Sequence, residues 1–591
     1  MARNKFDVDE SLETPFSFKH FKRATVYIKP HLKEMILTLV LAVIGSLVSL
    51  TGPLILKDAM DVTIPAGDIK RLVIEAVLFS ATIVIGILLN VWRSRIMTVV
   101  GQKIIYEMRQ DIFTHLQKLP FQYFDDRPHG KILVRVVNYP NNVSNMLTNG
   151  IINFIMDFIN LAVIAVYMFC FINVKLSLIV VAGLPIFAVI VWIVKPAQRR
   201  AWQQVSNKNS NLNAYLHESI DGTSITQVFA REAENASIFD RLSDRLRKSW
   251  LKASAVSHLI WVTVENITTL VMGAMYLVGV IFMHDTISLG AFIAMGNYCG
   301  RFWQPITNLA NIYNDFINTI AYLERIFELL DEPITIGAEE DVPKLPPITG
   351  AVDFDNVTFS YDGKINVLEN LSFHIEPGES VALVGPTGAG KSPIVNLVSR
   401  FYEVTAGAVR LDGHDVRCVD LHSMRNQMGI MLQDSFIFSG TIKDNIRYGK
   451  LDATDEEIKA ACVQACCDEF ITNFEDGYET EVYERGSRLS QGQKQLISFA
   501  RTLIADPKIL VLDEATSSID AKTEVLVQQA MNNLLKGRTS FVIAHRLSTI
   551  RNCDKIMFVS NKGITECGTH AELLAKRGDY YKLYTSQMIT V

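Results

Sequence analysis

Long runs of like charge are missing from this sequence, and so is any C-x-x-C pair. Its 591 residues hold only eight cysteines: Cys170, Cys299, Cys418, Cys462, Cys466, Cys467, Cys553 and Cys567. Cys462 and Cys466 fall on one helix face, but with no His or Cys partner pair they read as reduced thiols, and a disulfide-built secreted fold is excluded. Charged residues make up only 20%, the net charge is −5 and there is no basic block. That argues against nucleic acid as a partner. No internal repeat is visible. Hydrophobic residues reach 49% and mean hydropathy is +0.20: too apolar for an ordinary soluble enzyme or a disordered chain, too charged for a pure membrane bundle. Residues 1–340 carry 31 basic against 29 acidic side chains, and residues 341–591 carry 26 against 33. The second part is acidic and soluble in character, so the apolar residues concentrate in the first.

There, six runs approach the roughly 20 residues needed to cross a bilayer: 35–56, 72–92, 151–171, 176–194, 258–283 and 287–309. A polar segment, 1–34, precedes the first, which is too long for a cleaved signal peptide. Lys and Arg gather in 1–34, 93–150 and 195–257, while the opposite connections hold few, such as Lys70 and Lys175. This asymmetry predicts that both termini are cytoplasmic. The two internal segments run to about sixty residues with helical periodicity, as in Ile104, Met108, Ile112 and Leu116, and predict helical extensions of the spans at about 1.5 Å per residue. Residues 331–350 hold four prolines and several acids, the composition of a linker. Beyond it, β-branched strands (VDFDNVTFSY, SVALVGP, ILVLDEAT, TSFVIAH, KIMFVS) alternate with helices, which predicts a mostly parallel α/β sheet. The expected architecture is an all-α six-helix transmembrane domain (35–330) followed by an α/β P-loop domain (351–591).

The chemistry begins at Gly385-Pro386-Thr387-Gly388-Ala389-Gly390-Lys391-Ser392, a G-x-x-x-x-G-K-[ST] loop between the strand VALV and an apolar helix. The glycines let successive N–H groups face phosphates, Lys391 neutralises β/γ oxygens and Ser392 suits Mg2+. Further on, the buried strand Ile509-Leu510-Val511-Leu512 ends in Asp513 and Glu514. Asp513 suits Mg2+, and Glu514 is placed to polarise a water as general base. Between them, Leu489-Ser490-Gln491-Gly492-Gln493 opens a helix and offers free N–H donors to an anion. Because Lys391 already serves the chain's own nucleotide, this second anion site implies a nucleotide from elsewhere, hence a dimer.

In that order the motifs resemble those of an ABC transporter ATPase: phosphate loop, a glutamine loop at Gln433, signature at 489–493, the Asp-Glu strand, a D-loop at Ser517-Ser518-Ile519-Asp520, and a switch histidine at His545. With six spans fused N-terminally, the whole chain is similar to an ABC exporter half-transporter. The segments YFDDRPHGKILVRV and ESIDGTSITQVFAREAE match that family's two cytoplasmic coupling regions, and Glu484 its acidic loop before the signature. The resemblance implies that Tyr361 stacks on adenine, residues 385–392 wrap the phosphates, and Ser392, Gln433 and Asp513 serve Mg2+. It further implies that Glu514 activates water, that His545 contacts the γ-phosphate, and that Ser490 and Gly492, with Gln491 and Gln493 beside them, reach ATP held by a partner chain.

Two residues depart from the family pattern. Gln491 replaces the usual first glycine of the signature, a variant found in chains that pair with a different half-transporter, so a heterodimer is favoured over a homodimer. Pro393 replaces the usual Thr or Ser beside the α-phosphate. Three classes of function stay open: export of drugs or other small amphiphiles across the plasma membrane, flipping of membrane lipid or lipid-linked glycan, and peptide export or ATP-driven regulation. A peptide-processing version would need a protease domain that 34 residues cannot hold. Asp157 and Glu265, each about 10 Å into its span at 1.5 Å per residue, are candidates for a shared cavity site that attracts cations.

Overall fold

The computed structural model describes residues 18–589 apart from 126, 128, 284–286, 338–341, 432–434, 514–519 and 544–549. The chain forms two compact units. One is built from residues up to His115 and Gly130–Asp331; the other joins Leu116–His129 to the stretch from Glu332 onward.

The first unit is helical: α1 (Leu32–Asp58), α2 (Ile69–Leu116), α3 (Ile151–Val166), α4 (Val174–Asp221), α5 (Glu232–Met283) and α6 (Leu289–Leu330). Helices satisfy every backbone polar group internally, which hydrocarbon demands. The starts of α4 and α6 are fixed by side chains: Asn173 accepts from the N–H of Lys175 at 2.9 Å, and Ser288 Oγ from that of Ala291 at 3.3 Å. Leu50, Met168, Val180, Met275, Tyr298 and Trp303 form a common core, whereas Trp192, Leu270 and Phe282 stay exposed, as lipid-facing residues do. Among the described residues, four helical stretches are long and apolar enough to cross a bilayer, namely Lys19–Ala66, Ile69–Leu116, Ile132–Ile172 and Glu265–Met283. A fifth is the pair Val174–Ile190 and Trp192–Asp221, bent by 43°; the bend sits where Pro196 displaces the carbonyl four residues earlier. Five of the six expected stretches coincide with these. The sixth, 287–309, lies in α6 but is not among them, because Asn297, Arg301, Gln304 and Asn308 dilute its apolar character. Their role emerges at the cavity described below.

The second unit is α/β. Its strands are β1 (Val352–Phe359), β2 (Leu368–Ile375), β3 (Ser380–Val384), β4 (Ala406–Leu411), β5 (His414–Asp415), β6 (Met428–Met431), β7 (Ile509–Asp513), β8 (Thr539–Ile543), β9 (Lys555–Ser560) and β10 (Gly563–Gly568). They make a four-stranded sheet, β2-β1-β4-β5, and a six-stranded one, β10-β9-β3-β8-β7-β6. The larger sheet is parallel except at β10; the smaller is antiparallel, with shifts of register along β1. In the parallel sheet β8 lies between β3 and β7. Ile543 is opposite both Leu383 and Asp513, which brings the ends of the three strands to one edge, the place where open α/β sheets bind ligands.

Candidate functional site

At that edge the chain turns from β3 into the helix α7 (Lys391–Val398). Gly385 takes φ +151°, and a Cβ there would lie 2.2 Å from the carbonyl oxygen of Val559 on β9, so only glycine lets the loop leave the sheet this way. Lys391 is 9% exposed, and its ammonium donates to the carbonyls of Gly385 at 2.7 Å and Pro386 at 2.8 Å. Burial pushes its pKa below the usual lysine range, and the nearby Asp513 carboxylate opposes the shift. Thr387, Gly388 and Ser392 are exposed, Ala389 is half-buried, and Gly390 and Pro393 are buried. Pro393 occupies the first turn of α7, where a missing N–H breaks no intrahelical bond. Asp513 ends β7, half-buried. No group of three or more His, Cys, Asp or Glu that could hold a metal exists among the described residues. One carboxylate and one exposed hydroxyl suit Mg2+, which takes most of its ligands from water and substrate phosphate. Gln433, Glu514, His545 and the D-loop serines lie outside the described residues; Asp520 is described and caps the helix Ala521–Leu535 through the N–H of Thr523 at 2.9 Å.

Tyr361 is 40% exposed and meets two rings edge-on: Phe359 at 4.8 Å and 78°, Tyr402 at 5.0 Å and 89°. Burial raises its pKa, so the phenol stays neutral. Tyr402 leads to an element that local sequence does not connect with the site. The helix Phe121–Asp125, which overlaps the first expected coupling region at Tyr123–Asp125, folds with the ATPase unit. Asp125 Oδ2 accepts from the Tyr402 hydroxyl at 2.5 Å, Phe121 stacks on Phe401 at 5.3 Å, and Gln122 Nε2 donates to the Tyr361 carbonyl at 3.2 Å.

The signature segment starts the helix α8 (Gln491–Ile504). Ser490 Oγ accepts from the Gln493 N–H at 3.3 Å, and Gln493 Oε1 accepts from the Ser490 N–H at 2.9 Å, a reciprocal cap. Gln491 is exposed and Gly492 buried. Just upstream Tyr483, Arg485 and Gly486 all have positive φ, an uncommon state for the first two, and Glu484 is exposed between them. From the far turn of α8, the Arg501 guanidinium bonds Asn445 O at 2.8 Å, Asn445 Oδ1 at 2.9 Å and Phe436 O at 3.0 Å. Burial lowers its pKa from the usual arginine value, and these bonds tie the signature helix to the segment that follows the glutamine loop.

The membrane unit holds a cavity of about 1100 Å³ lined from α1, α2, α3 and α6. Asp157 lines it. Glu265 does not line it and is exposed on α5, so the structure does not bring the two acids together in this cavity. In their place stand two arginines, Arg93 and Arg301, with the α6 amides of Asn297, Gln304 and Asn308. The arginines escaped the sequence reading although a signal was present: Arg301 lies within an expected span.

A helical membrane unit followed by a P-loop unit whose sheet also carries an Asp-ended strand, one strand away from the P-loop strand, defines an ATPase built into a membrane protein. Comparison with known families places it further: the ABC transporter transmembrane region matches residues 35–305 and the ABC transporter ATPase region matches 368–517. The chain belongs to the ABC transporter family, is membrane-embedded, binds ATP and couples its hydrolysis to transport. It is 40% identical, over its full length and 98% of the other chain, to the uncharacterized ABC transporter ATP-binding protein YknV of Bacillus subtilis. It is 34% identical to the putative multidrug export protein YgaD of the same organism, over 96% of this chain and 99% of the other. To a fatty acid ABC transporter of Mycobacterium bovis it is 37% identical, over 84% of this chain and 78% of the other. A bacterial Atm1-family ABC exporter with ATP bound superposes with a TM-score of 0.79 at 27% identity, covering 94% of this chain and 98% of that one.

Proposed function

We propose that the chain is one half of an ATP-driven exporter that carries small amphiphiles out through the plasma membrane by alternating access. The observation that carries this reading is the helix Phe121–Asp125: a segment flanked by membrane-unit helices is built into the ATPase unit, so nucleotide-driven motion has a direct path to the spans. The chemistry is in-line hydrolysis. Residues 385–392 position the phosphates, Pro393 starts the helix beneath them, and Tyr361 stacks on adenine. Ser392, Gln433 and Asp513 would hold Mg2+, which would neutralise phosphate charge. Glu514 polarises water, and His545 contacts the γ-phosphate. Such catalysis is mainly positioning and charge stabilisation. ATP binds the closed state better than the open one and so drives closure.

A partner chain completes the second face of each ATP. Ser490 and Gly492 belong to that face, and Gln491 favours an unlike partner. The exposed Ile225, Val228 and Phe229 at the second coupling region supply apolar surface for the partner's ATPase unit. The termini and ATPase units lie on the cytoplasmic side, following the Lys/Arg asymmetry. The multidrug and fatty acid names of two relatives support amphiphiles with apolar tails; lipid flipping is the second reading, favoured by the arginines in the cavity.

The test is ATPase activity in proteoliposomes of the chain alone and co-expressed with a neighbouring half-transporter. The paired preparation is expected to turn over ATP faster when amphiphiles are added. A homodimer with full amphiphile-stimulated activity would overturn the heterodimer, and no stimulation in either preparation would overturn export of amphiphiles.

A further inference from the structure

The charges in the membrane cavity are unbalanced in a way the established activity does not explain. Arg301 on α6 donates from Nη1 to Ser49 O at 2.9 Å and Ser49 Oγ at 3.0 Å. Arg93 on α2 reaches Asn90 Oδ1 at 3.1 Å and Asn153 Oδ1 at 3.4 Å. Neither has a carboxylate within ion-pair distance among the described residues. Asp157 on α3 is only 7% exposed; its Oδ1 accepts from Asn308 Nδ2 at 3.5 Å, and its Oδ2 is buried without a partner among the described residues. Ionisable groups within spans are costly and persist where they serve a pathway or ligand. Here two guanidinium groups and one carboxylate line the same space without neutralising one another.

Resting on the exporter reading above, we infer that this cavity selects amphiphiles with an anionic head, carboxylate or phosphate, that also carries a hydrogen-bond donor. The planar fork of a guanidinium binds either oxyanion through two parallel N–H···O bonds, and with both Nη1 hydrogens directed at Ser49 Arg301 keeps three of its five N–H donors, on Nε and Nη2, free of the Ser49 contact. The donor beside the anion meets the unpaired Asp157 Oδ2. The tail lies along Phe79, Ile83 and Ile87, which line the same cavity from α2. A cation, by contrast, would meet two positive groups for one negative. This reverses the charge preference expected from Asp157 and Glu265 alone.

The experiment uses the full chain with its partner in nanodiscs of zwitterionic phospholipid. Five probes share a twelve-carbon tail: dodecanoate, 3-hydroxydodecanoate, dodecyl phosphate, dodecyltrimethylammonium and dodecyl maltoside. Equilibrium binding and ATPase stimulation are read separately. The anions are expected to bind at least tenfold more tightly than the cation or the maltoside. Arg301→Gln should abolish that preference while leaving maltoside binding unchanged, Arg301→Lys should restore part of it, and Asp157→Asn should remove the advantage of the hydroxylated acid over dodecanoate. Preference for dodecanoate over dodecyl phosphate, or the reverse, identifies the carboxylate or the phosphate as the natural head. Equal or tighter binding of the cation, or loss of all five probes to the same degree in both Arg301 variants, overturns the inference. Arg301-dependent anion binding without ATPase stimulation would sustain the site and refute export. Stimulation indifferent to head charge and to Arg301 would do the reverse.

Discussion

Removing the carboxylate of Asp125 should uncouple ATP hydrolysis from substrate while leaving nucleotide binding intact. Its bond from the Tyr402 hydroxyl, at 2.5 Å, is the shortest contact of the helix Phe121–Asp125 with the ATPase unit. It is charge-assisted and partly buried, and such bonds contribute about 1.5–3 kcal/mol. The other contacts are weaker. The Phe121–Phe401 stack adds about 0.5–1.5 kcal/mol, and the Arg127–Glu332 pair at 3.1 Å about 0–1 kcal/mol. Asp125→Ala also removes the carboxylate that accepts from Tyr402, a residue only 7% exposed. At about 1.4 kcal/mol per factor of ten, the docking equilibrium of this helix should fall by about 10- to 150-fold. Tyr361 keeps its edge-on contacts with Phe359 and Tyr402 and the phosphate loop its own, so with only the Gln122 bond to the Tyr361 carbonyl lost ATP affinity should move by less than about threefold, a margin of about 0.65 kcal/mol. The assay compares basal and amphiphile-stimulated ATPase in proteoliposomes for Asp125→Ala, Tyr402→Phe and the double variant. The expected result is lost stimulation with basal turnover retained, and a double variant no worse than either single one, because all three remove the same bond. Full stimulation in Asp125→Ala, or losses that multiply in the double variant, would refute the reasoning.

Glu514→Gln preserves shape and removes the proposed base, so ATP should still bind while steady-state hydrolysis collapses; retained turnover at saturating magnesium and ATP would rule the role out. Pro393→Thr supplies an N–H and a hydroxyl beside the α-phosphate, and one charge-assisted bond of about 1.5–3 kcal/mol should tighten ATP binding by about tenfold or more in calorimetric titration. Unchanged affinity there would mean the loop already compensates. Gly385→Ala forces a Cβ against the Val559 carbonyl at a positive-φ position, so ATP affinity should drop at least about tenfold, and wild-type affinity would show that the loop shifts freely.

The phosphate loop and the Asp513 strand were legible because each signal is local: a strand, a glycine-defined turn and a helix within about twenty residues. The antiparallel sheet was not foreseen as a separate layer. β1 shifts register against β2 between Phe354 and Val357 and again before Phe359, so its alternation of buried and exposed residues breaks where a pattern would be sought. The sixth stretch was read as an ordinary span, although its polar residues face the cavity. Matching depth along two spans put Asp157 and Glu265 together, but depth says nothing about which way a helix face turns, and only Asp157 reaches that cavity. The bond between Asp125 and Tyr402 joins residues 277 apart, and no window of sequence encodes it.

That separation sets a schedule for synthesis. Ribosomes add about 5–20 residues per second, so Asp125 emerges roughly 14–55 s before Tyr402 exists to meet it. Throughout that interval the aromatic face of Phe121 and the acid of Asp125 wait with their docking surface not yet made, while the rest of the membrane unit, through Asp331, is synthesised. Closing so long a loop is slow compared with local helix formation. The earliest-synthesised piece of the ATPase unit, Leu116–His129, therefore docks only after the membrane unit, which ends at Asp331, has been made, and that docking reports a membrane half already synthesised.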